Sequence, residues 1–130
     1  MKFAILLAAL MLLGTVRFSF AADESAVSKG PVYHVVCLKF KEGTTPEDIR
    51  AVEQAFRELK TKIPGVQTLH WGTNVSPEHK NMGFTHCFVL TFATDKDRDA
   101  YLVDPAHKAF GKLAGPHFAD VFVIDFVSQP

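Results

Sequence analysis

The sequence predicts an α+β domain of ferredoxin-like βαββαβ order: a four-stranded antiparallel sheet with helices on one face. Three observations predict it. Two segments, Val32 to Phe40 and Phe84 to Ala93, alternate in the manner of strands. Two helix starts, Thr45-Pro46 and Asp104-Pro105, each place a capping side chain before a proline. Apolar residues then recur at intervals of three and four along the segment after Thr45.

Along the chain, the first strand puts His34, Val36, Leu38 and Phe40 on one side and Val35, Cys37 and Lys39 on the other. Gly43-Thr44-Thr45 closes it. Glu47 and Asp48 then meet the positive end of a helix whose apolar face is Ile49, Val52, Phe56, Leu59 and Ile63, and which stops at Pro64-Gly65. Val66 to Val75 reads as a second strand, and Ser76 to Gly83 as a polar connection rich in turn formers. The third strand sets Phe84, His86, Phe88, Leu90 and Phe92 against Thr85, Cys87, Val89 and Thr91; both faces are partly apolar, as if both were covered. A short helix from Asp95 to Val103 breaks at Asp104, helical structure restarts at Pro105 and runs through Leu113 to Gly115-Pro116, and Phe118 to Val127 forms the last strand. Helices on one face leave the other sheet face bare and apolar. Two copies can cancel that liability by packing sheet to sheet, so a homodimer through the sheet face is expected.

Met1-Lys2-Phe3 and the apolar run Ala4 to Leu13 read as a signal peptide too short to span a bilayer, with cleavage expected after Ala21 at Ser19-Phe20-Ala21. This gives a signal peptide over 1–21, a flexible leader over 22–31 and one domain over 32–127, with a secreted or periplasmic destination. Of 14 basic and 14 acidic residues, only Lys2 and Arg17 precede the cut, leaving 12 against 14 and a net charge of −2. Nothing in that balance attracts nucleic acid or an anionic membrane. Cys37 and Cys87 each sit in an apolar strand; two buried reduced side chains are favoured over a disulfide, and their spacing offers no metal site.

No P-loop, dinucleotide fingerprint, zinc spacing or nucleophile elbow is present. The candidates for chemistry are histidines. His34 and His86 fall on the large-apolar faces of neighbouring strands, placed either as hydrogen-bonded core residues or as two walls of one cavity. With Asp104 as cap and Pro105 first in its helix, His107 is third, where the positive helix end disfavours imidazolium and keeps a general base neutral. Tyr101, just across the Asp104 break, is placed to share that cavity and offer its phenol to a carbonyl; packing on a helix face is the competing reading. His70, His79 and His117 are read as solvated, and Trp71 as a core or interface aromatic.

The string His34-Val35-Val36-Cys37-Leu38-Lys39-Phe40-Lys41, then Ile63-Pro64, Trp71-Gly72, Gly83-Phe84-Thr85-His86 and Tyr101-Leu102-Val103-Asp104-Pro105-Ala106-His107, resembles the stress-responsive dimeric α/β-barrel (Dabb) family from His34 to Phe126. The resemblance implies a dimeric α/β barrel. The family includes plant stress-associated proteins and a polyketide cyclase that works by an intramolecular aldol reaction. By that likeness His107 would remove a proton alpha to a carbonyl while Tyr101 polarises the carbonyl oxygen, without a cofactor or metal. His34 and His86 would orient a small, partly apolar or carbonyl ligand, with Phe56 and Phe88 beside it. The sequence departs from the cyclase pattern at Phe56, where the cyclase pocket has a tyrosine, and at Glu53, which stands at an aromatic wall position. The expectations are a cavity that binds a small molecule, an acid/base enzyme of cyclase or lyase type, or a structural stress protein whose cavity Phe56, Phe88 and their neighbours would fill.

Overall fold

The computed structural model describes residues 30–129. The expected signal peptide and most of the leader lie outside the described residues. The elements are β1 (Val32–Phe40), α1 (Pro46–Lys62), β2 (Thr68–Thr73), β3 (His86–Phe92), α2 (Asp95–Val103), α3 (Pro105–Ala114), a single 3-10 turn (Gly115–His117) and β4 (Phe118–Val127). The caps read from sequence at Thr45 and Asp104 fix two helix starts and Thr94 fixes the third: the amides of Asp48, Ala106 and Asp97 donate to Thr45 Oγ1, Asp104 Oδ1 and Thr94 Oγ1. Asp104 also closes α2, through its own amide to the Tyr101 carbonyl at 3.2 Å. One residue thus ends one helix and starts the next, which fixes Tyr101 and His107 relative to each other.

The strands form one sheet in the order β2-β3-β1-β4, with every neighbouring pair antiparallel. Within one chain this sheet is open, with β2 and β4 at its edges, and does not close into a barrel. Residues directly opposite in an antiparallel pair share a face. The pairs His34↔Leu90, Val36↔Phe88, Leu38↔His86, Val36↔Val123 and His34↔Asp125 therefore lie together, on the side the helices cover. There Val52, Phe56 and Leu59 of α1 are at most 1 % exposed. Burying each such side chain is worth about 1.5–3 kcal/mol. The opposite face carries Tyr33, Val35 and Cys37 beside Phe126, Ile124 and Phe122, of which the last three are 47 %, 49 % and 51 % exposed.

The expected boundaries of the two inner hairpin strands are too generous. β2 is confined to Thr68–Thr73 because Val66 turns into the core while Val75 projects into solvent. Phe84 does not continue the His86 face. The turn through Met82 and Gly83, both at positive φ, sends its ring to the open face, 6.3 Å from Phe122. Trp71 is neither core nor on the open face. It lies on the helix side at the sheet's edge, 5.4 Å from the Phe88 ring and 5.9 Å below the Arg57 guanidinium.

Cys37 and Cys87 are free thiols, directly opposed across β1 and β3, and half-buried on the open face rather than sealed in the core as expected. Phe88 is fully buried between sheet and helix, with its ring stacked 3.8 Å from Phe56. Phe88→Ala should lower the unfolding free energy by about 3–5 kcal/mol in urea titration. A loss below about 1 kcal/mol would contradict this packing.

Candidate functional site

Between the helices and the β1–β4 half of the sheet lies a cavity of about 300 Å³. Its walls are largely apolar, from Val36 and Leu38 on β1, Val123 on β4, Phe56 on α1 and Phe110 on α3. Its polar groups converge from four elements: His34, Asp125, Tyr101 and His107. Strand alternation brings the first two inward, and the last two flank the shared cap at Asp104.

His34 is 4 % exposed and its Nδ1–H donates to Asp125 Oδ1 at 2.6 Å. The second oxygen of Asp125 accepts from Arg98, whose Nε–H donates to Asp99 at 2.8 Å. A buried imidazole is costly unless a partner fixes it, and Asp125 supplies that partner. It also sets the tautomer, placing the His34 proton on Nδ1 while an ionised carboxylate faces it.

Tyr101 is 1 % exposed, with its ring 5.1 Å from Phe92 and 5.7 Å from His34. Burial pushes its phenol far above the ordinary tyrosine range, so it stays protonated and can only donate or accept as a neutral hydroxyl. Among the described residues, none hydrogen-bonds that hydroxyl, and it is not a sealed, unsatisfied atom.

The His107 ring lies 4.6 Å from that of Tyr101. Its Nδ1–H donates to the Leu102 carbonyl at 3.2 Å, which leaves Nε2 as the basic nitrogen of the neutral ring. Burial lowers its pKa and the neighbouring His34 adds to the effect, while the Leu102 carbonyl and Asp104 partly oppose it. The arrangement sets a neutral base beside a neutral phenol donor, a pairing suited to proton transfer next to a carbonyl.

The structure divides the expected site. His34, Phe56, Tyr101 and His107 share the cavity; His86 and Phe88 do not line it. His86 is turned toward α1, its Nε2–H donating to Glu53 at 3.0 Å and its Nδ1 bonded to Thr85 Oγ1 at 2.8 Å. Glu53 therefore serves as the partner of a buried histidine rather than as a cavity wall. Phe88 backs Phe56 from behind. These rings fill the space toward β3, beside the cavity.

Sequence reasoning missed Asp125 and Arg98. An acid within the apolar run Val121 to Val127 was the available signal, and counting the register of β4 against β1 places it opposite His34. In an NMR titration, His107 should show a midpoint below 6.5. Because its folded value lies below its unfolded one, the stability linked to this ring is complete above about pH 6.5 and is lost as pH falls through the folded value. His107→Gln should flatten that part of the pH profile. A midpoint at or above 6.5 would contradict the neutral-base geometry.

The chain is similar to known proteins across the same span. Residues 32–128 match the model of the Stress responsive A/B Barrel Domain, Dabb. The stress-response A/B barrel domain-containing protein HS1 of Arabidopsis thaliana is 35% identical over 99 residues, covering 76% of this chain and 91% of that protein. Olivetolic acid cyclase of Cannabis sativa is 27% identical over 98 residues, covering 75% of this chain and 97% of the cyclase. The crystal structure of a dimeric ferredoxin-like protein of Thermobifida fusca superposes with a TM-score of 0.67 at 21% identity, over 77% of this chain and 93% of that one, a likeness of fold alone. With the family model spanning nearly all of the described residues, the chain belongs to the stress-responsive A/B barrel (Dabb) family.

Proposed function

We propose that the cavity between sheet and helices binds a small, partly apolar molecule bearing a carbonyl group. The observation that carries this reading is the pairing of a Tyr101 hydroxyl that no described residue hydrogen-bonds with the neutral His107 ring, inside largely apolar walls. Such a cavity takes an alkyl portion against Phe56, Phe110 and Val123 and a carbonyl oxygen at Tyr101. The similarity to olivetolic acid cyclase supports the same kind of occupant.

The 4.6 Å approach of the Tyr101 and His107 rings favours a second reading, in which the protein is a cofactor-free acid/base enzyme. His107 Nε2 would take the proton alpha to the carbonyl. The Tyr101 hydroxyl would hold the resulting enolate oxygen by hydrogen bonding, and His34, oriented by Asp125, would complete the polar end of the cavity. The enolate carbon then either attacks a second carbonyl, whose oxygen takes the proton back from His107, or takes that proton back itself.

Hydrogen–deuterium exchange at the acidic carbon of a 1,3-diketone with an alkyl tail separates the two readings. The enzyme reading predicts exchange that falls by about 100-fold or more in His107→Ala and is weakened in Tyr101→Phe. Saturable binding without exchange supports the binding reading alone. If Val123→Trp, which fills the cavity, leaves binding intact, the cavity is not the site.

We also propose, from the N-terminal apolar run and the open sheet face, that the protein is an exported homodimer. The half-exposed Phe122, Ile124 and Phe126, together with Tyr33 and Val35, form an apolar face that a second copy can cover sheet to sheet. Native mass spectrometry of the protein isolated from its host should give twice the mass of a chain beginning at Ala22. A full-length chain would overturn export, and a single-copy mass would overturn the dimer.

A further inference from the structure

The lining of the sheet–helix cavity is buried on one side and half-exposed on the other. Toward β1 and α1, Val36, Leu38 and Phe56 are buried. Toward β4, Val121 and Val123 are 41 % and 50 % exposed, although both lie on the helix side of the sheet. They are uncovered because β4 is an edge strand, with no strand beyond it among the described residues. The other face of β4 is as bare, with Phe122, Ile124 and Phe126 half-exposed. Apolar surface therefore runs from the open sheet face around the β4 edge and into the cavity.

We propose that a second copy of the chain completes this cavity, its β2 edge lying along β4 and its Trp71 covering Val121 and Val123. The inference rests on the proposed homodimer and adds to it that each copy supplies a wall of the other's site. A ten-residue edge strand with neither lysine nor proline is a template for pairing unless something covers it. The cover is the opposite edge of the same sheet. When two copies pack open face to open face about a two-fold axis along their strands, β4 of each comes to the edge where the other has β2, and the twist of the sheets brings those edges together.

Both sheets keep their helix sides outward in that arrangement, so the side chains that meet at the seam come from those sides. From β4 they are Val121 and Val123; from β2 the large apolar one is Trp71, which shares the face of Phe88 and is 37 % exposed in a single copy. Val75, just beyond β2, is 92 % exposed. A two-fold axis across the strands would instead set β4 against β4 and leave Trp71 and Val75 in solvent. The β2–β4 seam covers both apolar edges at once. A molecule in the cavity then touches two chains, and it tightens the dimer by the same factor by which the dimer tightens its binding.

Trp71 is the single tryptophan of the chain, which makes the contact readable by NMR in the wild-type protein. Mixed dimers are assembled from one copy with isotope-labelled valine methyls in a deuterated background and another deuterated everywhere except tryptophan. Any methyl–indole nuclear Overhauser effect then runs between copies. The expected result is cross-peaks from the indole to Val121 and Val123, with none to the core residue Val52, and their loss on dilution to single copies. A dimer without an indole contact at either valine would overturn the proposal and leave the homodimer standing, whereas a single-copy native mass would overturn both. No outcome depends on the cavity holding a small molecule, so failure of the binding reading is told apart from failure of this one.

Discussion

The position of β1 between β3 and β4 is the constraint on which the rest depends. A central strand must serve two ladders at once, and its period of two assigns every side chain to one face or the other with no freedom to slip. With Val36 and Leu38 committed to α1, His34 is committed with them, and a buried imidazole then requires a partner from the adjacent strand. Asp125 is that partner, at 2.6 Å. The polar end of the cavity is therefore a consequence of strand pairing and cannot be moved without unpairing the sheet.

The second fixed point is the double use of Asp104. Its amide closes the helix that carries Tyr101, and its carboxylate opens the helix that carries His107. Two short helices joined at a single residue have little room to swing, and the ring spacing of 4.6 Å is the result. The Leu102 carbonyl, in the last turn of α2, accepts from His107 and so determines which nitrogen faces away from it. The Tyr101–His107 pair is positioned by capping geometry, on a scaffold whose apolar face supplies the stability.

Much of this was legible in the chain itself. The caps at Thr45 and Asp104, the prolines that follow them and the alternation of β1 are local signals, and the elements they mark lie where those signals put them. His107 and Tyr101 were also legible, because their relation depends on a few consecutive residues. Long-range relations were less so. His34 and His86 have the same local pattern, yet α1 presents Glu53 to one and leaves the other to Asp125, and that difference follows from the helix's placement on the sheet. Phe84 departs from the alternation of β3 because the positive φ of Met82 and Gly83 redirects the chain just before the ladder begins. The cysteines read as core residues because the open face is nearly as apolar as the covered one; only their pairing across the ladder distinguishes them.

A high-resolution crystal structure of the protein purified from its own host distinguishes a small-molecule site in the sheet–helix cavity from a packing defect between rigid elements. A bound molecule should appear in the cavity, with an oxygen within hydrogen-bond distance of the Tyr101 hydroxyl and its carbon framework against Phe56 and Val123. A collapsed interior, with Phe56 and Phe110 closing the space and His107 turned away from Tyr101, would contradict it.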